Sequence, residues 1–262
     1  MSDFDRNAQV WGQGRVQQTS AAEMDQGLRS FMLGVYNHMV IGLAISAVFA
    51  LGINQLAVTD QANAVARVGN SIYLTAFGKL LYGTPLMWVV ALAPLAFILF
   101  FSFRLEKMSA AAARTMFFAF SAVMGLSLST LLIRYTGASV VQVFFITAAT
   151  FGGLSLYGYT TQKSLSGWGS FLIMGLIGVI LASLVNMFLA SSALGFAISV
   201  IGVLVFAGLT AYDTQRLKEM YLYSDLDAES ALKLSVNGAL SLYLDFVNMF
   251  QLLLSLFGSR ND

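Results

Sequence analysis

Cysteine is absent from the 262 residues, which excludes disulfides, thiolate nucleophiles and cysteine-ligated metals. A single histidine, His38, cannot build a multi-histidine metal centre. The prolines are only Pro85 and Pro94, which leaves long helices free to run unbroken. Charge is scarce too: Asp, Glu, Lys and Arg make up 10% of the chain, against about a quarter in an ordinary soluble domain. With 58% hydrophobic residues and a mean hydropathy of +0.75, there is too little polar material to cover a water-soluble surface, and the apolar excess must face lipid. The net charge of +1 generates no field that would gather nucleic acid. Met1 to Ser30 is polar and acidic, without the basic start and apolar run of a secretory signal, so the hydrophobic segments are expected to act as the targeting signal.

What the chain has instead is long stretches without charge. Windows of about 20 residues nearly free of it fall at Phe31–Leu51, Leu86–Phe103, Thr115–Ile133, Val140–Tyr159, Ser170–Leu189, Leu194–Tyr212 and Val236–Phe257. The expected fold is an all-α membrane protein with seven transmembrane helices. A polar cytoplasmic tail over residues 1–29 would precede a membrane domain over 30–258 and a short tail over 259–262. Between spans the sequence leaves a longer first loop from Ala57 to Thr84 and a charged stretch from Asp213 to Lys233. Lys and Arg gather on one side of the alternating flanks, Arg29, Arg104, Lys107, Lys163 and Arg216 among them. That asymmetry puts the amino terminus in the cytoplasm and, after seven crossings, the carboxyl terminus outside.

Small residues recur at helical spacing, as Ser121, Gly125 and Ser129 in the third span and as Gly175, Gly178, Ala182 and Asn186 in the fifth. Residues three or four apart share a face, and small ones let helices approach closely in lipid, so these read as packing faces, with Asn186 the one long polar group. The last span differs. Asn237, Ser241, Asp245, Asn248, Gln251 and Ser255 fall within an arc of about 120° on a helical wheel. A polar stripe of that length cannot face acyl chains, which puts the seventh helix at the centre with the other six surrounding it.

Asp245 is the one acid well inside a span. At that depth a carboxylate costs about 2.5 to 3.5 kcal/mol on insertion scales, and its default reading is a function with a nearby partner. The sixth span offers one, because Ser199, Gly202, Phe206, Thr210 and Asp213 follow helical spacing on one face. Two acids brought together do not titrate independently. Such a pair is a proton sensor and also a weak oxygen site for a hard cation. Calcium takes six to eight oxygens, so two carboxylates with hydroxyls, carbonyls and water would hold it loosely enough to release it, as conduction requires. Ser199, Thr210, Asn237, Ser241, Asn248 and Asn186 are the candidates to line the path. With the sixth helix ending near Leu217 and the seventh starting near Val236, Asp213 and Asp245 lie about 6 Å and about 13 Å from the cytoplasmic boundary, a gap that a shift of about two to four residues in the helix ends or helix tilt can close.

Two stretches, Gly208 to Glu219 (GLTAYDTQRLKE) and Gly238 to Phe250 (GALSLYLDFVNMF), resemble the Bax inhibitor family, the transmembrane Bax inhibitor motif proteins, and particularly its bacterial members. The similarity runs from about Gly27 to Gly258 and includes Val143 to Tyr159 and Gly167 to Asn186. It implies six helices around a central seventh, and a pH-sensitive calcium leak controlled by an aspartate pair, here Asp213 and Asp245. It further implies an arginine latch near the cytoplasmic end of the second helix, where Arg104 stands in FFSFRLEKM. The resemblance also points to the bacterial inner membrane, to no cofactor besides calcium as the permeant ion, and to a membrane-anchored ATP-dependent protease as a partner. The Gly-Pro of the family's third-to-fourth-helix signature is missing, and Gly125 to Ser129 is the partial match.

Other readings compete. A non-conducting regulator that binds a membrane protease or another membrane protein would use the acidic tail of Asp3, Asp5, Glu23 and Asp25 for docking. An intramembrane aspartyl protease shares Tyr212 with Asp213, but Leu242, Tyr243 and Leu244 precede Asp245 where such enzymes have Gly-x-Gly, and the Pro-Ala-Leu segment is missing. A retinal protein needs a lysine inside the last helix, and Lys233 lies before it. His38 reads as an interfacial hydrogen-bonding residue or an acid sensor. Asp225, Asp227 and Glu229 read as a solvated helix start.

Overall fold

The computed structural model describes residues 3–69, 72–104, 107–224 and 226–261, and for residues 3–23 and 102 the backbone alone. Among these, helices run as α1 (Asp3–Ala57), α2 (Ala76–Tyr82), α3 (Leu86–Arg104), α4 (Ala110–Arg134), α5 (Gly137–Thr160), α6 (Ser166–Leu189), α7 (Ser192–Tyr223) and α8 (Ala228–Phe257). In hydrocarbon every backbone N–H and C=O must find its partner within the segment, which is why charge-free runs become helices. Met24–Ala57 of α1 and helices α4 to α8 are long and apolar enough to cross a membrane. The short α2 and the longer α3, bent by 63° across a brief break, make a seventh span when taken together.

Helix starts are marked by side-chain caps. Ser109, Thr136, Ser191 and Asp227 each accept a backbone N–H of the first turn, at Ala112, Ser139, Leu194 and Ser230, satisfying donors that the helix itself leaves free. The Asp227 carboxyl is held below the ordinary carboxylate range, first by the Ser230 side chain and then by the Ser230 N–H. A depressed folded value means that the cap contributes above the ordinary carboxylate range and is lost as pH falls through the folded value. Hydrogen exchange at the Ser230 amide should therefore accelerate in that acid window, while Asp227→Asn, also a good cap, should show no such step.

The central position belongs to α8, in which Val236, Leu242, Tyr243, Met249 and Leu254 are wholly enclosed. Helices α1, α4, α5 and α7 pack directly on it, with α3 against α4 and α6 against α7. The outermost α6 exposes Phe171, Met174, Ile177, Leu181 and Phe188, a surface suited to acyl chains. Two close backbone approaches explain small residues in the sequence. A Cβ on Gly158 of α5 would overlap the Ala211 carbonyl of α7, and one on Gly125 of α4 would meet the α1 backbone at Ser46.

A buried node fixes α8 to its neighbours. The Ser46 hydroxyl donates to the carbonyls of Ser121, at 2.7 Å, and Gly42, at 3.0 Å, so the Tyr243 hydroxyl is the donor in its 2.6 Å bond to Ser46 Oγ. The Tyr243 ring is met edge-on by Phe117 and Phe120. At the far end of α8 the chain folds over the α4–α5 turn: Ser259 O accepts from Thr136 N, Asn261 N donates to Arg134 O, and the Asn261 amide reaches the carbonyls of Ile133 and Tyr135.

Two expectations about connections need correction. The stretch after α1 is more than a loop: β1 (Val58–Thr59), β2 (Ala66–Val68) and β3 (Ile72–Leu74) form a small antiparallel sheet in the order β1-β3-β2, followed by α2. Val58, Thr59, Val68, Ile72 and Tyr73 are β-branched or aromatic residues of the kind that suits a pleated surface. The stretch from Asp213 to Lys233 is not a long connection either, since α7 continues to Tyr223 and α8 begins at Ala228. Hydropathy drops where charged residues begin, but a helix of good formers such as Arg216, Lys218 and Glu219 continues past that point.

Candidate functional site

The polar faces of α7 and α8 meet in an antiparallel register fixed by three contacts. Ser199 Oγ donates to Ser255 Oγ at 3.2 Å, and Cβ atoms at Gly202 and Gly238 would run into Leu252 and Leu217 respectively. That register puts Asp213 opposite Ser241 and Asp245 opposite Leu209 or Thr210. The two acids are thus offset by about one helical turn, roughly 5 Å along the axes. That offset is close to the difference in depth expected from the sequence, so the acids face each other about one turn apart and not level.

Asp245 is 5% exposed, deep in the α7–α8 interface, and its Oδ2 has no hydrogen-bond partner. Such an atom is unusual, because buried polar groups are nearly always satisfied; among the described residues Ser235 Oγ is the other one. Asp213 is half-buried and lies within electrostatic range of both Asp245 and the Arg216 guanidinium. Arg216 was not a candidate from the sequence; the signal was its spacing of three residues from Asp213, which puts both on one helix face. Arg104, at the end of α3, is exposed and rests over the ring of Phe100, its guanidinium carbon 5.5 Å from the centroid. Among the described residues no three His, Asp or Glu converge on one point, so a cation here would draw on two carboxylates and neutral oxygens.

The motif around Asp213 divides its tasks. Thr214 shares a 3.0 Å hydrogen bond with Ser155 of α5, which in turn pairs with Tyr36 of α1 at 2.6 Å. Gln215, 5% exposed, clasps the α5–α6 connection: its Oε1 accepts from Leu165 N at 2.6 Å and its Nε2 donates to Lys163 O at 2.9 Å. Gln215→Ala should cost about 1–3 kcal/mol, because it leaves two backbone groups unpaired in a place with little water. A lower apparent melting temperature in micelles checks this, with Gln215→Glu giving partial rescue because Oε1 is retained.

The remaining candidates fall into distinct surroundings. Thr210 is fully buried, with its hydroxyl on the Phe206 carbonyl. Asn237, Ser241 and Asn248 lie half-buried along α8, Asn248 donating to its own helix at Leu244 O. Asn186 closes the α6–α7 turn: its Oδ1 accepts from Ser191 N at 3.0 Å, beside Ala190 in the left-handed region. His38 Nδ1 bonds the Gly34 carbonyl of its own helix. Asp225 lies outside the described residues, and Glu229 Oε1 accepts from Ala110 N at 2.7 Å, tying the start of α8 to the start of α4.

Comparison with known proteins agrees with this architecture. The sequence model of the family described as "Inhibitor of apoptosis-promoting Bax1" matches residues 28–262. The chain is 45% identical to an uncharacterized protein of Caulobacter vibrioides across the whole of both chains. It is 43% identical to the inner membrane protein YbhL of Escherichia coli K12, over 89% of this chain and 93% of that one. An uncharacterized protein of Rickettsia prowazekii is 41% identical over 91% of this chain and 93% of its own. None of these three names is that of an enzyme.

Proposed function

The chain belongs to the Bax inhibitor family, and from that premise we propose that it is a passive, proton-responsive cation leak of the inner membrane, with calcium as the permeant ion. The observation that carries this reading is the buried Asp245 with its unpartnered Oδ2, one turn from a second acid on the facing helix. With both acids ionised, the pair attracts a guanidinium strongly enough to hold the cytoplasmic mouth shut. Arg216 supplies the nearby positive charge, and Arg104 is the residue that swings onto the pair in the closed state. One proton on the pair weakens that hold while leaving a carboxylate for a passing cation; a second proton removes the cation's ligand. Conduction is then greatest in the singly protonated state.

In this reading Ser199, Thr210, Asn237, Ser241 and Asn248 supply neutral oxygens along the α7–α8 seam, and Asn186 shapes its outer end. The amino terminus is cytoplasmic and the carboxyl terminus outside, as the Lys and Arg asymmetry favours. A membrane-anchored ATP-dependent protease is the proposed macromolecular partner. The test is calcium entry into liposomes holding the purified chain, titrated from acid to alkaline pH against protein-free liposomes. A bell-shaped profile supports the proposal, and flux equal to that of empty liposomes at every pH overturns it.

A further inference from the structure

Helices α1 and α5 both lean on α8 and meet each other at the bond between Tyr36 and Ser155, and a groove of about 850 Å³ runs along their seam with Phe246 in its lining. A second hollow of about 520 Å³ extends it along the same seam, sharing Leu43, Ala47, Phe144 and Phe246. From Arg29 to Leu51 the α1 wall is about 33 Å long at 1.5 Å per residue, matching a hydrocarbon core of about 30 Å. The trough is apolar except at one end, where Arg29, Tyr36, Ser155 and Tyr159 stand. Lys218 of α7, outside the lining itself, puts a second cation against Tyr159 at that end, its Nζ 2.8 Å from the Tyr159 carbonyl and above the Tyr159 ring. Among the described residues no acid lines either hollow.

An apolar trough of membrane length with two cations and hydroxyls at one mouth has the polarity pattern of one lipid molecule. We propose that this groove is the resident site of an anionic phospholipid, with an acyl chain between α1 and α5 and the phosphate at Arg29 and Lys218. The charge at the mouth selects the occupant, since a crossing helix from another protein would need acidic residues at that level, whereas an anionic headgroup carries its charge there by construction. The inference rests on the membrane architecture and not on ion conduction.

Native mass spectrometry of the full-length protein in micelles, titrated with phosphatidylglycerol or phosphatidylcholine of the same chains, tests this. One phosphatidylglycerol should stay bound under activation that strips phosphatidylcholine. Arg29→Gln and Lys218→Gln should each lower phosphatidylglycerol occupancy about fivefold, the worth of one cation near an anionic headgroup, and leave phosphatidylcholine unchanged. Gly152 lines the groove, and a Cβ there meets nothing within 4 Å, so Gly152→Phe should fill the trough and reduce both lipids without lowering the melting temperature. Equal retention of the two lipids, unmoved by the charge variants, overturns the proposal. So does a polypeptide that co-purifies in the groove and is displaced by Gly152→Phe. The charge variants decide the matter even if Gly152→Phe does not fold.

Discussion

Asp245→Asn should abolish the alkaline closure of calcium flux. Asparagine keeps the shape and burial of the side chain, which is 5% exposed, but cannot ionise, so the pair can no longer acquire the second negative charge that in the proposed gate holds a guanidinium over the mouth. Flux at alkaline pH should rise to the wild-type optimum, and what pH response remains should follow Asp213 alone. The fold should survive. Replacing a buried acid by a neutral isostere removes a desolvation cost, so the apparent melting temperature should stay level or rise. Calcium entry into proteoliposomes with the same magnitude and pH profile as wild type would remove the aspartates from gating, leaving the membrane architecture and family membership intact.

Two glycines of α5 should respond to the same substitution with opposite signs. A Cβ at Gly158 would overlap the Ala211 carbonyl of α7, whereas one at Gly153 meets nothing within 4 Å. Carbonyl oxygens on a packed helix cannot step aside as a side-chain tip can, so Gly158→Ala must push α5 away from α7. Overpacking of this kind costs about 1–3 kcal/mol and occasionally more, and it also stretches the bond between Ser155 and Thr214. Gly153→Ala should be neutral or stabilising by up to about 1 kcal/mol, the helix-propensity difference. Thermal aggregation of the purified variants in micelles gives the ordering. A Gly158→Ala protein as stable as Gly153→Ala would mean that the two helices lie farther apart than described.

Much of this architecture is legible in the sequence because lipid imposes one simple rule, that charge-free runs of about 20 residues become helices. The central position of α8 follows from its polar stripe, and the facing of α7 from the spacing of Ser199, Gly202, Thr210 and Asp213. Gly125 is a packing residue, as the stripe it shares with Ser121 and Ser129 suggests. Other features escape hydropathy because they depend on groups far apart in the chain. The clasp of Gln215 on the α5–α6 connection, the bond between Tyr243 and Ser46 and the fold of Asn261 over the α4–α5 turn all join polar groups whose partners no local pattern reveals. Helix ends are read poorly for a related reason: water tolerates a continuing helix, so the last turns of α7 and the first of α8 leave no trace in hydropathy. Arg216 is a different case, visible as a spacing yet overshadowed by the resemblance that favours Arg104.

The Tyr243 node has a mechanical consequence. Its hydroxyl grips Ser46 of α1, which in turn grips the Ser121 carbonyl of α4, and the tail beyond α8 is tied down at the α4–α5 turn. Held at both places, the middle helix is the stator of the assembly. On its other flank α7 is harnessed to α5 through Thr214 and Lys218, so the two helices that carry the acids are braced by different neighbours.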